Sequence, residues 1–82
     1  MDALDGNAIA GVLLEHFGVD MTARRGACGH CGTRAQVGEL VVYLRAPGAV
    51  VRCRNCGGVV MVVVSLGGGP QIDHSRFELV TV

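Results

Sequence analysis

The chain has no lysine and no tryptophan, and its only aromatic residues are Phe17, Tyr43 and Phe77. A single tyrosine does not make the row of stacking platforms that single-stranded nucleic acid uses. Long apolar runs are also missing. The longest, Val59 to Val64, falls far short of the roughly 20 residues that span a bilayer. Met1-Asp2-Ala3-Leu4-Asp5 is acidic where a secretory signal would be basic, and the apolar stretch from Ala8 to Leu14 ends at Glu15 with no small-residue cleavage site after it. These features lead to the expectation of a soluble, cytoplasmic protein with no membrane partner.

Catalytic signals are missing too. Gly67-Gly68-Gly69-Pro70 is not followed by the Gly-Lys-Ser/Thr of a phosphate loop and reads as a flexible turn. Asp73-His74-Ser75 has the letters of a triad, but adjacent residues of an extended chain point to opposite faces. His16, near the end of a predicted helix, favours the negative end of the helix dipole. Carboxylates are few and scattered, and no nucleophile or general base is specified. The expectation is a protein that is not an enzyme.

What the sequence does have is four cysteines in two identical frames, Cys28-Gly29-His30-Cys31-Gly32 and Cys53-Arg54-Asn55-Cys56-Gly57. Two C-x-x-C turns with a spacer near twenty residues are a specific pattern for a metal cage. Cytoplasmic cysteines stay reduced, which favours metal over disulfide. Tetrahedral four-sulfur sites hold zinc or iron, with Zn–S distances of about 2.3 Å. Cys28, Cys31, Cys53 and Cys56 are therefore the expected ligands of one Zn2+ per chain, with iron as the lesser alternative. Four protein ligands leave no open position, so the site is expected to be structural. Gly32 and Gly57 suit a chain that must turn back with positive φ. His30 reads as a solvent-facing residue of the first turn rather than a fifth donor.

Formal net charge is zero, but the charges are segregated. Residues 1–23 carry Asp2, Asp5, Glu15 and Asp20 and no basic residue, whereas residues 24–56 carry six arginines against Glu39. Arg25, Arg34, Arg52 and Arg54 flank the cysteines. They are expected to offset the net charge of about −2 that a divalent ion with four thiolates carries. The alternative is a patch for nucleic acid, which the small residual charge does not favour.

At 82 residues the chain is expected to form a single domain, 1–82, whose small core needs a staple. Leu4, Ala8, Ile9, Val12, Leu13 and Phe17 share one face of a helix predicted over 3–17, within an N-terminal unit 1–18. Asp2 or Asp5 would cap it, Gly18 would end it, and Gly6 and Gly11 would let it approach a sheet closely. Residues 19–27 read as an extended lead-in and 35–46 as a strand. Ala46-Pro47-Gly48-Ala49 reads as a type II turn and 50–52 as the return strand. Val59–Val64 reads as a central strand covered on both faces. Residues 67–82 read as a turn and an edge strand over 77–82.

This order of turns and strands resembles the zinc-ribbon, rubredoxin-like group on Cys28, Cys31, Gly32, Cys53, Cys56 and Gly57, over about residues 22–66. Rubredoxins usually surround their iron with aromatic residues, and the scarcity of aromatics here favours zinc. Transcription-cleavage ribbons carry an acidic pair at the hairpin tip, which Ala46-Pro47-Gly48-Ala49 lacks. The chain also resembles a small actinobacterial family with a domain of unknown function. The matching residues are Asp2–Gly11, Tyr43-Leu44-Arg45-Ala46-Pro47-Gly48 and Val51-Arg52-Cys53-Arg54-Asn55-Cys56. That resemblance implies that helix and ribbon belong together, and it implies no activity. Its members lie beside flavin or molybdenum oxidoreductase genes, which implies an electron carrier or oxidoreductase accessory as an alternative role.

The expected protein is a small metal-stabilised α+β fold, an N-terminal helix on an antiparallel zinc ribbon of three to five strands. Its expected function is non-enzymatic, with structural zinc holding a surface that binds a protein partner or a second copy. A transcriptional nucleic-acid-binding ribbon is one alternative and a rubredoxin-like iron protein the other.

Overall fold

The computed structural model describes residues 4–45, 48–66 and 69–79. Two antiparallel sheets share one core. The larger is a five-stranded sheet in the order β1 (Leu4–Asp5), β4 (Val41–Arg45), β5 (Gly48–Arg52), β6 (Val59–Leu66) and β7 (Gly69–Asp73). The smaller is three-stranded, with β3 (Arg34–Gln36) and β8 (Phe77–Leu79) on either side of β2 (Arg25–Cys28). One buried cluster takes Leu13 from the helix α1 (Ala10–Phe17), Val42, Val51, Met61 and Val63 from the larger sheet, and Cys28 and Phe77 from the smaller.

Several expectations need correction. The α-helix is shorter than 3–17: Leu4–Asp5 pairs with β4, and Gly6–Ile9 forms a 3₁₀ turn that Asp5 caps by accepting the Asn7 N–H. Ile9 and Leu13 are buried, whereas Leu4 and Ala8 are exposed. Gly18 does end the helix, with φ 77° and its N–H on the Leu14 carbonyl. Gly6 is packed against the Val37 backbone rather than a sheet, and Gly11 faces open space. The strand expected over 35–46 is two strands, separated by a 3₁₀ turn over Val37–Glu39. Its start is fixed by Gln36 and Glu39, which bond reciprocally as a capping box.

Val59–Val64 is not the central strand, a position held by β5, and it is not covered on both faces. Met61 and Val63 point inward, while Val62 is 37% exposed. A bulge lies where the β5–β6 register shifts between Val51 and Arg52. It lets Val60 turn inward beside Met61. The count of three to five strands in one ribbon also fails. The described residues make eight strands in two sheets, because Gly69–Asp73 adds to the larger and Phe77–Leu79 to the smaller. Ala46-Pro47 and Gly67-Gly68 of the expected turns, Asp2, and residues 80–82 of the expected edge strand lie outside the described residues. Among the described residues, no helix is long and apolar enough to cross a membrane.

Phe77 joins the three-stranded sheet to the core and is fully buried. Its ring lies on Gly26 of the neighbouring strand, where a Cβ would press on ring atom Cε2 and stand 2.8 Å from the Glu78 carbonyl oxygen. Gly26→Ala should therefore destabilise the protein by about 1–3 kcal/mol through overpacking. Phe77→Ala should cost about 3–5 kcal/mol through the cavity it leaves. Urea unfolding followed by circular dichroism measures both, and an unchanged Gly26→Ala midpoint would show that the ring has room to move.

Candidate metal centre

The two cysteine turns belong to different sheets. The first closes the β2–β3 hairpin of the smaller sheet, and the second joins β5 to β6 in the larger. Each is built by the same bonds. In the first, the Cys28 N–H donates to the Thr33 carbonyl at 2.9 Å and the Gly32 N–H to the Cys28 carbonyl at 2.9 Å. In the second, the Cys53 N–H donates to the Gly58 carbonyl at 2.8 Å and the Gly57 N–H to the Cys53 carbonyl at 3.0 Å. Gly32 and Gly57 take φ values of 78° and 74°, the backbone reversal expected of them.

The four sulfurs of Cys28, Cys31, Cys53 and Cys56 all lie within 4.8 Å of one another. Cys28 and Cys56 are 3.7 Å apart, as are Cys31 and Cys53. A metal ion held at about 2.3 Å by four tetrahedral sulfurs sets them about 3.8 Å apart. The four cysteines are thus positioned to bind a metal ion. Cys28 and Cys53 are each only 4% exposed, while Cys31 and Cys56 face outward. Each close pair joins an inner sulfur of one turn to an outer sulfur of the other.

Backbone amides supply donors to the sulfurs. The His30 N–H lies 3.3 Å from the Cys28 sulfur, the Asn55 N–H 3.4 Å from that of Cys53, and the Gly58 N–H 3.4 Å from that of Cys56. Cys31 is held differently. Its sulfur is 3.1 Å from Thr33 Oγ1 and 3.7 Å from Asn55 Nδ2. Thr33, through its side chain and then its backbone, together with Asn55, lowers the Cys31 thiol to about 6. At Cys56 the Gly58 N–H also acts to lower the value. Partial desolvation and the three neighbouring sulfurs outweigh it and push that thiol up to about 11.

The third residue of each frame reaches across to the opposite turn. His30 Nε2 is 2.7 Å from the Val59 carbonyl oxygen, with its ring against Gly58, and Asn55 Nδ2 donates to Thr33 Oγ1 at 3.0 Å. His30 is therefore exposed but engaged, not a free solvent-facing residue. Thr33 and Asn55 were not legible as part of the site. The only signal for Asn55 was its place in the repeat, matching that of His30. The arginines make other contacts. Among the described residues none donates to a sulfur. Arg52 instead donates to the Gly57 carbonyl at 2.8 Å and sits 6.0 Å from the centre of the Tyr43 ring. Arg25, Arg34 and Arg54 are exposed. Asp73-His74-Ser75 forms a turn in which Asp73 Oδ1 accepts the Ser75 N–H at 3.0 Å.

A family model described as a family of unknown function, DUF6510, matches residues 1–82. The chain belongs to the DUF6510 family. Comparison with the curated proteins and with the solved structures gives no match.

Two outcomes are expected of this DUF6510 centre. Asn55→Ala and His30→Ala should each weaken metal binding about 10- to 100-fold, as loss of outer-shell partners does, measured by competition with a chromophoric chelator. The second concerns protons. A thiol lowered to about 6 is already ionised at pH 7.5 and protonated at pH 5. Metal binding displaces ligand protons, so about one more proton per ion should be released at pH 5 than at pH 7.5. Cadmium titrations in buffers of different ionisation enthalpy read that number. Equal release at both pH values would show that Cys31 does not titrate between them.

Proposed function

We propose that the protein is a non-catalytic interaction module in which one zinc ion fastens two sheets together. The observation that carries this reading is the convergence of four sulfurs from two hairpin turns of different sheets. Four thiolates close the coordination sphere, leaving the ion no position for water or substrate. Zinc is favoured over iron because the chain has only three aromatic residues, Phe17, Tyr43 and Phe77, and no tryptophan. Binding an ion between two sheets then stabilises the fold directly, since no such cage exists in an unfolded chain.

The surface that the ion supports is the outer face of the five-stranded sheet. The β4–β5–β6 register puts Tyr43, Val50 and Val62 in one row across three strands. Val64 lies two residues further along the same side, and Arg45 and Arg52 flank Tyr43. An apolar row edged by guanidinium groups fits a protein partner that presents apolar and acidic side chains.

Elemental analysis of protein purified without added metal should give one zinc per chain, and a coloured, iron-containing protein would reverse the choice of metal. Cys53→Ser should fail to fold stably, and chelator should lower the thermal midpoint of the wild type. An unchanged midpoint with chelator contradicts a structural ion. Val62→Glu should abolish binding to a partner, or self-association seen by light scattering, without changing the zinc content.

A further inference from the structure

We propose that the four-cysteine cage is also a site of oxidation by peroxides. The disulfides formed run between the two turns, Cys31 to Cys53 and Cys56 to Cys28, not within either C-x-x-C frame. The sulfur positions carry this. Peroxide reaches Cys31 and Cys56, which are exposed, whereas Cys28 and Cys53 are 4% exposed. Behind each outer sulfur, at 3.7 Å, stands an inner sulfur of the opposite turn. A disulfide is about 2.05 Å long, so each pair closes by about 1.7 Å, within reach of side-chain rotation.

The Cys31 thiolate attacks one peroxide oxygen, the O–O bond breaks, and hydroxide leaves and takes up a proton to become water as Cys31 becomes a sulfenic acid. The Cys53 thiolate then attacks the Cys31 sulfur. The S–S bond forms, and the sulfenic oxygen leaves as hydroxide and takes up a proton. Two thiols are oxidised by two electrons and one peroxide is reduced to two waters. Cys56 and Cys28 consume a second peroxide in the same way.

Crossed bonds have a structural result that within-turn bonds do not. Cys28 and Cys31 belong to the three-stranded sheet's hairpin, and Cys53 and Cys56 to the five-stranded sheet's. Both crossed disulfides therefore join the sheets at the place the metal joins them. The oxidised chain loses its metal donors but keeps its inter-sheet link. Redox-responsive disulfides of this kind form in otherwise reducing compartments. The loss of zinc rests on the function proposed above, whereas the pairing rests on the sulfur positions alone.

The sequence allows a direct test. Trypsin cuts after Arg25, Arg34, Arg52, Arg54 and Arg76, which separates Cys53 from Cys56 and leaves Cys28 and Cys31 together on peptide 26–34. Purified wild-type protein, as isolated, receives about two equivalents of hydrogen peroxide, one for each disulfide. Non-reducing digestion should give one species joining 26–34, 53–54 and 55–76, with Cys31–Cys53 and Cys28–Cys56 assigned by fragmentation. The zinc-loaded protein should release one zinc per chain, seen with a chromophoric chelator. The oxidised, zinc-free protein should keep its sheet signal in circular dichroism. An internally bridged 26–34 peptide, a Cys28–Cys53 bond, or a fully reduced protein after treatment overturns the proposal. Finding no zinc in the purified protein removes the zinc reading instead, and the digest of the protein as isolated still decides the pairing.

Discussion

Two hairpin turns from separate sheets must meet within reach of a single ion, and the rest of the molecule is arranged around that meeting. Neither sheet is self-sufficient. The three-stranded sheet has strands of three or four residues, and a two- or three-stranded element of that length is marginal without a packing partner. Among the described residues, Phe77, Ala35, Leu79, the core side of Cys28 and the four-sulfur cage attach it to the rest of the protein. The inner sulfurs belong to residues that are themselves part of the hydrophobic core. The four-sulfur cluster is thus partly built from the hydrophobic core itself rather than added to a finished fold.

The charge of a metal–thiolate centre has to be met by something. Here backbone amides, one hydroxyl and one carboxamide meet it, all supplied by the turns themselves. Arg52 steadies the second turn through a carbonyl and leans toward Tyr43, while Arg45 stays exposed further along the same face. Arg45 and Arg52 thus border the sheet's outer row of Tyr43, Val50 and Val62. The same row leaves Val62 uncovered, although a fully apolar strand reads as one buried on both sides.

Much of the site was legible because its information is local. A C-x-x-C-G frame specifies two ligands and a positive-φ glycine within five residues, and its repetition supplies the second half of the cage. Gly18 was legible for the same reason, since a helix stop depends on one φ angle. What could not be read depends on distant partners. Leu4 sits at helical spacing, but pairing with Val42 makes it a strand residue. Val37–Glu39 interrupts an apparently continuous strand through a capping box whose outcome depends on where the chain goes next. The division into two sheets was hidden because β8 pairs with β2, some fifty residues earlier. Asn55 and Thr33 look like ordinary polar turn residues until the turns face each other.

The third residue of each frame braces the opposite turn. His30 to Val59 and Asn55 to Thr33 connect the turns through light-atom bonds of 2.7 and 3.0 Å that do not involve a metal. They therefore tie the two turns to each other whether or not an ion is present, while the sulfurs keep their side-chain freedom. Spreading the two turns apart would stretch both bonds together. The cage thus has, outside its sulfurs, a latch that resists its opening.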